Sequence, residues 1–245
     1  MKWFITESAG EKEIKAALGR YQRPFIGVIG ATSPGAGYKK EDGIKAGYEL
    51  RKFIENRAGT LFTGGVEGVG TDTYTGISRY CVEQGVKKGS MPSDRFFVLI
   101  PHNISVRDPE NFQSRTSISY NPPEIYNSLS TVIGNKGLGI VRAGEEMGER
   151  REYVAEIADA LIVLNGGLGT LDEAYGALKK NKPLIVLPQT GGIAADLKAV
   201  KDDTLPLAKR MQFLKNSFIF NAELVSHIHL AQDITEATQK LEELL

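Results

Sequence analysis

The segment that most constrains the fold of this chain is residues 147–173. It carries a helical pattern, the apolar run Ala160-Leu161-Ile162-Val163-Leu164, the turn Asn165-Gly166-Gly167-Leu168-Gly169-Thr170, and a helix predicted over 171–180. A short uninterrupted apolar run is what a strand buried on both faces of a parallel sheet requires. The glycines let the backbone turn sharply and let an outside group come close to its amides. A helix that starts at such a turn offers unpaired N–H groups and the positive end of its dipole, a setting that favours phosphate or carboxylate. In the helix before the strand, Met147, Val154 and Ile157 share one face with Arg150. An arginine on a core-facing stripe near a helix N-terminus is costly unless an anion or a carboxylate meets it.

The same order of elements repeats along the chain. Residues 24–29 form a predicted strand ending in Gly30-Ala31-Thr32-Ser33-Pro34-Gly35-Ala36-Gly37, followed by a helix over 41–56. A strand over 60–63 runs into Gly64-Gly65-Val66-Glu67-Gly68-Val69-Gly70, and a helix covers 71–88. Further strands are predicted over 95–100, 137–141 and 182–187, the last followed by Gln189-Thr190-Gly191-Gly192 and a helical stretch over 194–200. A polar segment, strand-like Ser217-Phe218-Ile219-Phe220 and a terminal helix over 236–245 complete the chain, with a short helix expected near 11–18. Strands alternating with helices predict an α/β fold, a doubly wound, mostly parallel sheet of about seven strands. Its ligand is expected at the carboxyl ends of the strands, where every glycine cluster falls. Residues 102–137 are polar and longer than an ordinary connection, which fits a surface excursion or a wall of the ligand site.

At 245 residues, the chain suits one domain spanning 1–245, with 1–23 as an N-terminal extension. Thirty basic residues balance thirty acidic ones, so neither a nucleic-acid surface nor an anionic-membrane surface is expected. No run reaches membrane-spanning length, and the N-terminus lacks the apolar core of a signal peptide, so the expected location is cytoplasmic. The single cysteine, Cys81, excludes a disulfide within the chain and reads as a small buried hydrophobe.

Several phosphate and metal motifs nearly match and then fail. Gly30 and Gly35 have P-loop spacing, but Ala36 stands where lysine is needed and no Ser or Thr follows it to hold magnesium. The dinucleotide fingerprint needs another glycine spacing and an acid after the second strand, where this chain has Thr63-Gly64. His227 and His229 alternate along a possible strand, but no third ligand accompanies them, and no metal or other cofactor is expected.

Met147, Arg150 and Arg151, followed by Gly166, Gly167, Gly169, Thr170 and Glu173, resemble the M-x-x-R-[K/R] and G-G-x-G-T-x-x-E elements of the LOG proteins. These are the "lysine decarboxylase-like" members of the Rossmann-like SLOG superfamily. Gly64-Gly65-Val66-Glu67-Gly68 resembles the family's second glycine run with its first glycine replaced. Asn165 stands where the family usually has proline, a change expected to alter loop rigidity, and Arg151 stands for a lysine. The resemblance implies a single Rossmann-like three-layer domain and a homodimer. It also implies a phosphoribohydrolase that splits a nucleoside 5′-monophosphate into free base and ribose 5-phosphate. In that reading Arg150 and Glu173 are catalytic. Gly30, Ser33, Gly64, Gly65, Met147, Arg151, Gly166, Gly167, Gly169 and Thr170 hold the nucleotide and its phosphate. The segments 102–137 and 188–216 look longer than in compact members and would line the base pocket.

Two other readings share these residues. Arg150 and Glu173 could be a plain buried ion pair joining two helices. The chain could also bind a nucleotide or the molybdenum cofactor as a carrier or sensor without turnover, since Gly191-Gly192 before a helix resembles the cofactor carriers of the same superfamily.

Overall fold

The apolar runs pair side by side in one sheet. A computed structural model describes residues 9–64, 68–85, 95–101, 139–216 and 218–245. Its strands are β1 (Phe25–Gly30), β2 (Thr60–Thr63), β3 (Phe96–Ile100), β4 (Ile140–Arg142), β5 (Ala160–Leu164), β6 (Leu184–Leu187) and β7 (Ile228–Leu230). They lie in the order β4-β3-β2-β1-β5-β6-β7, and each neighbouring pair is parallel. Six of the seven strands fall where the apolar runs were expected to form them, and the parallel pairing is as expected.

The helices are α1 (Ala9–Leu18), α2 (Lys40–Phe53), α3 (Val69–Glu83), α4 (Met147–Ile157), α5 (Leu168–Leu178), α6 (Gly192–Lys201), α7 (Leu207–Lys215), α8 (Ala222–Ser226) and α9 (Ile234–Leu244). They cover both faces of the sheet. In β5, Leu161 and Val163 join the core shared with α4, α5 and α6. Ala160, Ile162 and Leu164 join the core shared with α2, α3 and α9. All five are fully buried, which is why this run is apolar without alternation. Each Leu, Ile or Val side chain removed from water in this way contributes about 1.5–3 kcal/mol.

The sheet order reverses between β1 and β5, which are adjacent in space although three strands separate them in sequence. That is the switch point at which parallel sheets open a crevice beyond their carboxyl ends.

Three details of the last part of the chain differ from the sequence reading. The strand-like stretch 217–220 is not a strand over Phe218–Phe220, and Ser217 lies outside the described residues. Phe218 is instead buried against Phe213 and Tyr175, pinning the end of α7 to α5, so its aromatic character serves packing between helices. The polar segment after residue 201 contains α7. β7 holds His229, while His227 immediately precedes it. The long stretch 102–137 and the end of the helix predicted to residue 88 lie outside the described residues.

Candidate functional site

At the switch point lies a cavity of about 460 Å³, walled by the ends of β1, β2 and β5 and by the first turns of α4 and α5. Gly30 and Ser33 reach it from β1, Gly64 from β2, and Met147, Arg150 and Arg151 from α4. Gly166, Gly167, Gly169, Thr170 and Glu173 supply the opposite side. The cavity thus brings together every candidate residue named from the sequence except Gly65, which lies outside the described residues. Of 188–216, Gly192 reaches the cavity, and most of that segment is taken up by α6 and α7.

Arg150 and Glu173 meet across the cavity floor. Nη2 of Arg150 donates to Oε1 of Glu173 at 2.5 Å, and both residues are 5% exposed. α4 carries the arginine on the same face as Val154 and Ile157, so the charge enters the core with its apolar neighbours. Burial pushes the Glu173 carboxyl above its ordinary range, against the opposing pull of Arg150 and then Arg151. Nε of Arg150 is buried and has no hydrogen-bond partner among the described residues. Arg151, nearer the mouth, donates to Asp172 at 3.1 Å, and its guanidinium lies over Gly169.

α5 begins at Leu168, three residues earlier than its apolar pattern predicts, because Gly167 serves as its N-cap in an extended conformation. Gly169 and Thr170 therefore belong to the helix's first turn, whose amides have no acceptor one turn back. Gly167 offers no capping side chain to take their place.

Asn165 is the residue whose role the sequence pattern missed. Its φ is +55°, a conformation closed to proline but tolerated by asparagine. Its backbone N–H donates to Oγ1 of Thr190 at 2.7 Å, and its side-chain amide donates to the Thr190 carbonyl at 2.6 Å. Its Oδ1 accepts from the Gly35 amide at 3.3 Å. The expected change in rigidity is thus a cross-brace joining the loops after β1, β5 and β6. The Asn-Gly dipeptide was the available signal, since it marks turns with a left-handed residue.

The glycine pair before α6 is already engaged. Ile193 donates its amide to the Gly166 carbonyl and Ala194 to the Asn165 carbonyl, each at 3.0 Å. The first amides of that helix thus hold the neighbouring turn, so Gly191-Gly192 does not form a second anion site built from them.

A family model described as "Possible lysine decarboxylase" matches residues 111–191, which include the Arg150 helix and the whole glycine turn. No curated protein matches the chain. Among solved structures, TM1055 is 21% identical, with 90% of this chain and 99% of that one covered at a TM-score of 0.54. The molybdenum cofactor carrier protein of Chlamydomonas reinhardtii is 18% identical, covering 91% and 98% at 0.45. DNA processing protein A of Helicobacter pylori is 18% identical, covering 93% and 83% at 0.49. The TM1055 match shares the Rossmann-like α/β fold, and the family model supports the resemblance to the LOG proteins and their SLOG superfamily.

Proposed function

Taking the chain as a LOG-like protein of the SLOG type, we infer that it is a nucleoside 5′-monophosphate phosphoribohydrolase. The observation that carries this reading is the buried Arg150–Glu173 pair on the floor of a cavity whose other wall is a glycine turn and a helix N-terminus. Such a turn suits a 5′-phosphate, held by the amides of Gly166, Gly167, Gly169 and Thr170 and by Arg151 at the mouth. Gly30, Ser33, Gly64 and Met147 enclose the remainder of the nucleotide.

In the reaction the C1′–N bond breaks, its electron pair stays with the base, and a proton reaches the base nitrogen. Water adds its oxygen to C1′ and loses a proton. Positive charge builds on the ribose ring on the way, and a carboxylate beside it stabilises that charge. Glu173 takes this role. Arg150 holds the carboxylate in place through the hydrogen bond already present.

The protein acts as a homodimer in this reading, and as a cytoplasmic one. Among the described residues, no helix is long and apolar enough to cross a membrane. The deciding experiment incubates the protein with a panel of nucleoside 5′-monophosphates and assays free base and ribose 5-phosphate together. Release of both in equal amounts supports the hydrolase. Tight binding with neither product supports the carrier or sensor instead.

A further inference from the structure

The amide cradle is held in shape by a frame behind it. The Asn165 and Gly166 carbonyls are fixed on the Ala194 and Ile193 amides. In a trans peptide the C=O and N–H of one unit point in opposite directions. The Gly166 and Gly167 amides, which belong to those two peptide units, are therefore turned away from α6. Asn165 at φ +55° and Gly166 at φ +109° both hold a positive φ, so the backbone turns sharply between β5 and α5. Thr190 locks this turn from below. Its hydroxyl accepts from Asn165 N–H and donates to the Leu187 carbonyl at 2.7 Å, and its own carbonyl accepts from the Asn165 side chain. Both residues are 1% exposed or less. Gly192 completes the contact: a Cβ there would come within 2.5 Å of the Gly166 carbonyl oxygen.

We propose that Asn165 and Thr190 are positioning residues that aim the Gly166 and Gly167 amides at a phosphoryl group, with α6 as their anchor. The proposal rests on the reading of the glycine turn as a phosphate site, and it assigns this chain a hydrogen-bonded frame where LOG proteins usually carry proline. A proline at 165 could neither reach φ +55° nor donate the N–H that Thr190 accepts.

The test is calorimetric binding of ribose 5-phosphate and of inorganic phosphate to wild type, Thr190→Val, Thr190→Ser and Asn165→Pro, with thermal melts alongside. Thr190→Val keeps the shape of the side chain and removes the hydroxyl. It weakens both ligands about tenfold or more, because the unsatisfied Asn165 amide shifts the turn. Thr190→Ser restores the hydroxyl and the affinity. Asn165→Pro loses at least as much affinity as Thr190→Val where it folds, and Thr190→Val carries the test where it does not. A Thr190→Val protein that melts lower but binds both ligands as wild type overturns the proposal, as does wild type that binds neither. Wild type that binds both ligands, loses them in Thr190→Val and releases no base from any nucleotide supports the frame while removing the hydrolase reading.

Discussion

A Cβ at Gly64 would lie 2.8 Å from Nη1 of Arg150, so the end of β2 and the guanidinium of α4 occupy adjoining space that only a glycine leaves open. The arginine cannot simply swing aside, because its other nitrogen is held on Glu173 at 2.5 Å. Gly64→Ala therefore displaces the ion pair rather than the strand. The expected result is a fall in kcat of about tenfold together with a lowered melting temperature, because the displaced pair is buried. A displacement of about 1 Å in a catalytic pair is enough for a loss of that size. Steady-state kinetics and a thermal melt on the one variant check it.

The alternation of strand and helix was legible where a strand is an uninterrupted apolar run with a glycine turn close behind it. Ala160–Leu164 is the clearest case, buried on both faces. α7 was not legible, because Phe213 is its only buried residue while Leu207, Met211 and Leu214 are exposed, so its apolar positions do not mark one inward stripe. α8 is five residues long and capped by the Asn221 side chain on the Leu224 amide, too short for any periodicity to register.

The site divides in the same way. Arg150 stood out because a charge on an apolar stripe has a local signature. Asn165 did not, because its partners Thr190 and Gly35 come from other loops and only the folded sheet brings them together.

The pH dependence follows from Glu173. Burial raises its pKa above the ordinary 4.5, the two arginines offsetting part of that rise. A carboxyl raised in the folded state contributes stability below its unfolded pKa, and that contribution is lost as pH climbs through the folded value. Activity runs the other way, since the ionised carboxylate is the form that meets the cationic ribose. The acid limb of kcat/KM is therefore expected above pH 4.5. The substrate phosphate also titrates, near pH 6 by about the usual second ionisation. The limb belonging to Glu173 is the one that disappears in Glu173→Gln, and pH profiles of both proteins separate the two.

A test of the fold concerns α2 and α3, which pack backbone to backbone. A Cβ on Gly47 would sit 1.7 Å from the Thr73 carbonyl oxygen, and one on Gly76 would sit 1.8 Å from that of Ile44. The contacts are reciprocal, so neither helix can yield without moving the other. Gly76→Ala is expected to destabilise the protein by about 3 kcal/mol, the upper range for overpacking a close contact. Urea denaturation gives the value. A loss below about 1 kcal/mol, typical of a surface change, would show that the helices do not meet this closely.

Two substitutions separate chemistry from binding. Glu173→Gln keeps the size of the side chain and an acceptor for Arg150 but removes the charge that meets the oxocarbenium-like ribose. Electrostatic contributions of this kind are worth about 3 kcal/mol, so kcat falls about a hundredfold. Affinity for nucleotide changes little, because backbone amides rather than the carboxylate hold the phosphate. Gly167→Val does the reverse, and the geometry makes it a usable probe. Gly167 has φ of −117°, which any residue adopts, and a Cβ there meets nothing within 4 Å among the described residues. Valine therefore folds without strain, yet its methyl groups fill the space through which a phosphate would approach the amides. Gly166→Val makes a poor substitute, since its φ is +109° and its Cβ would press on Thr170 at 2.7 Å. The expected pattern is lost affinity with an unchanged melt for Gly167→Val, and retained affinity with lost turnover for Glu173→Gln. If base release survives in Glu173→Gln at the wild-type rate, the carboxylate is a structural partner of Arg150 and the catalytic assignment falls.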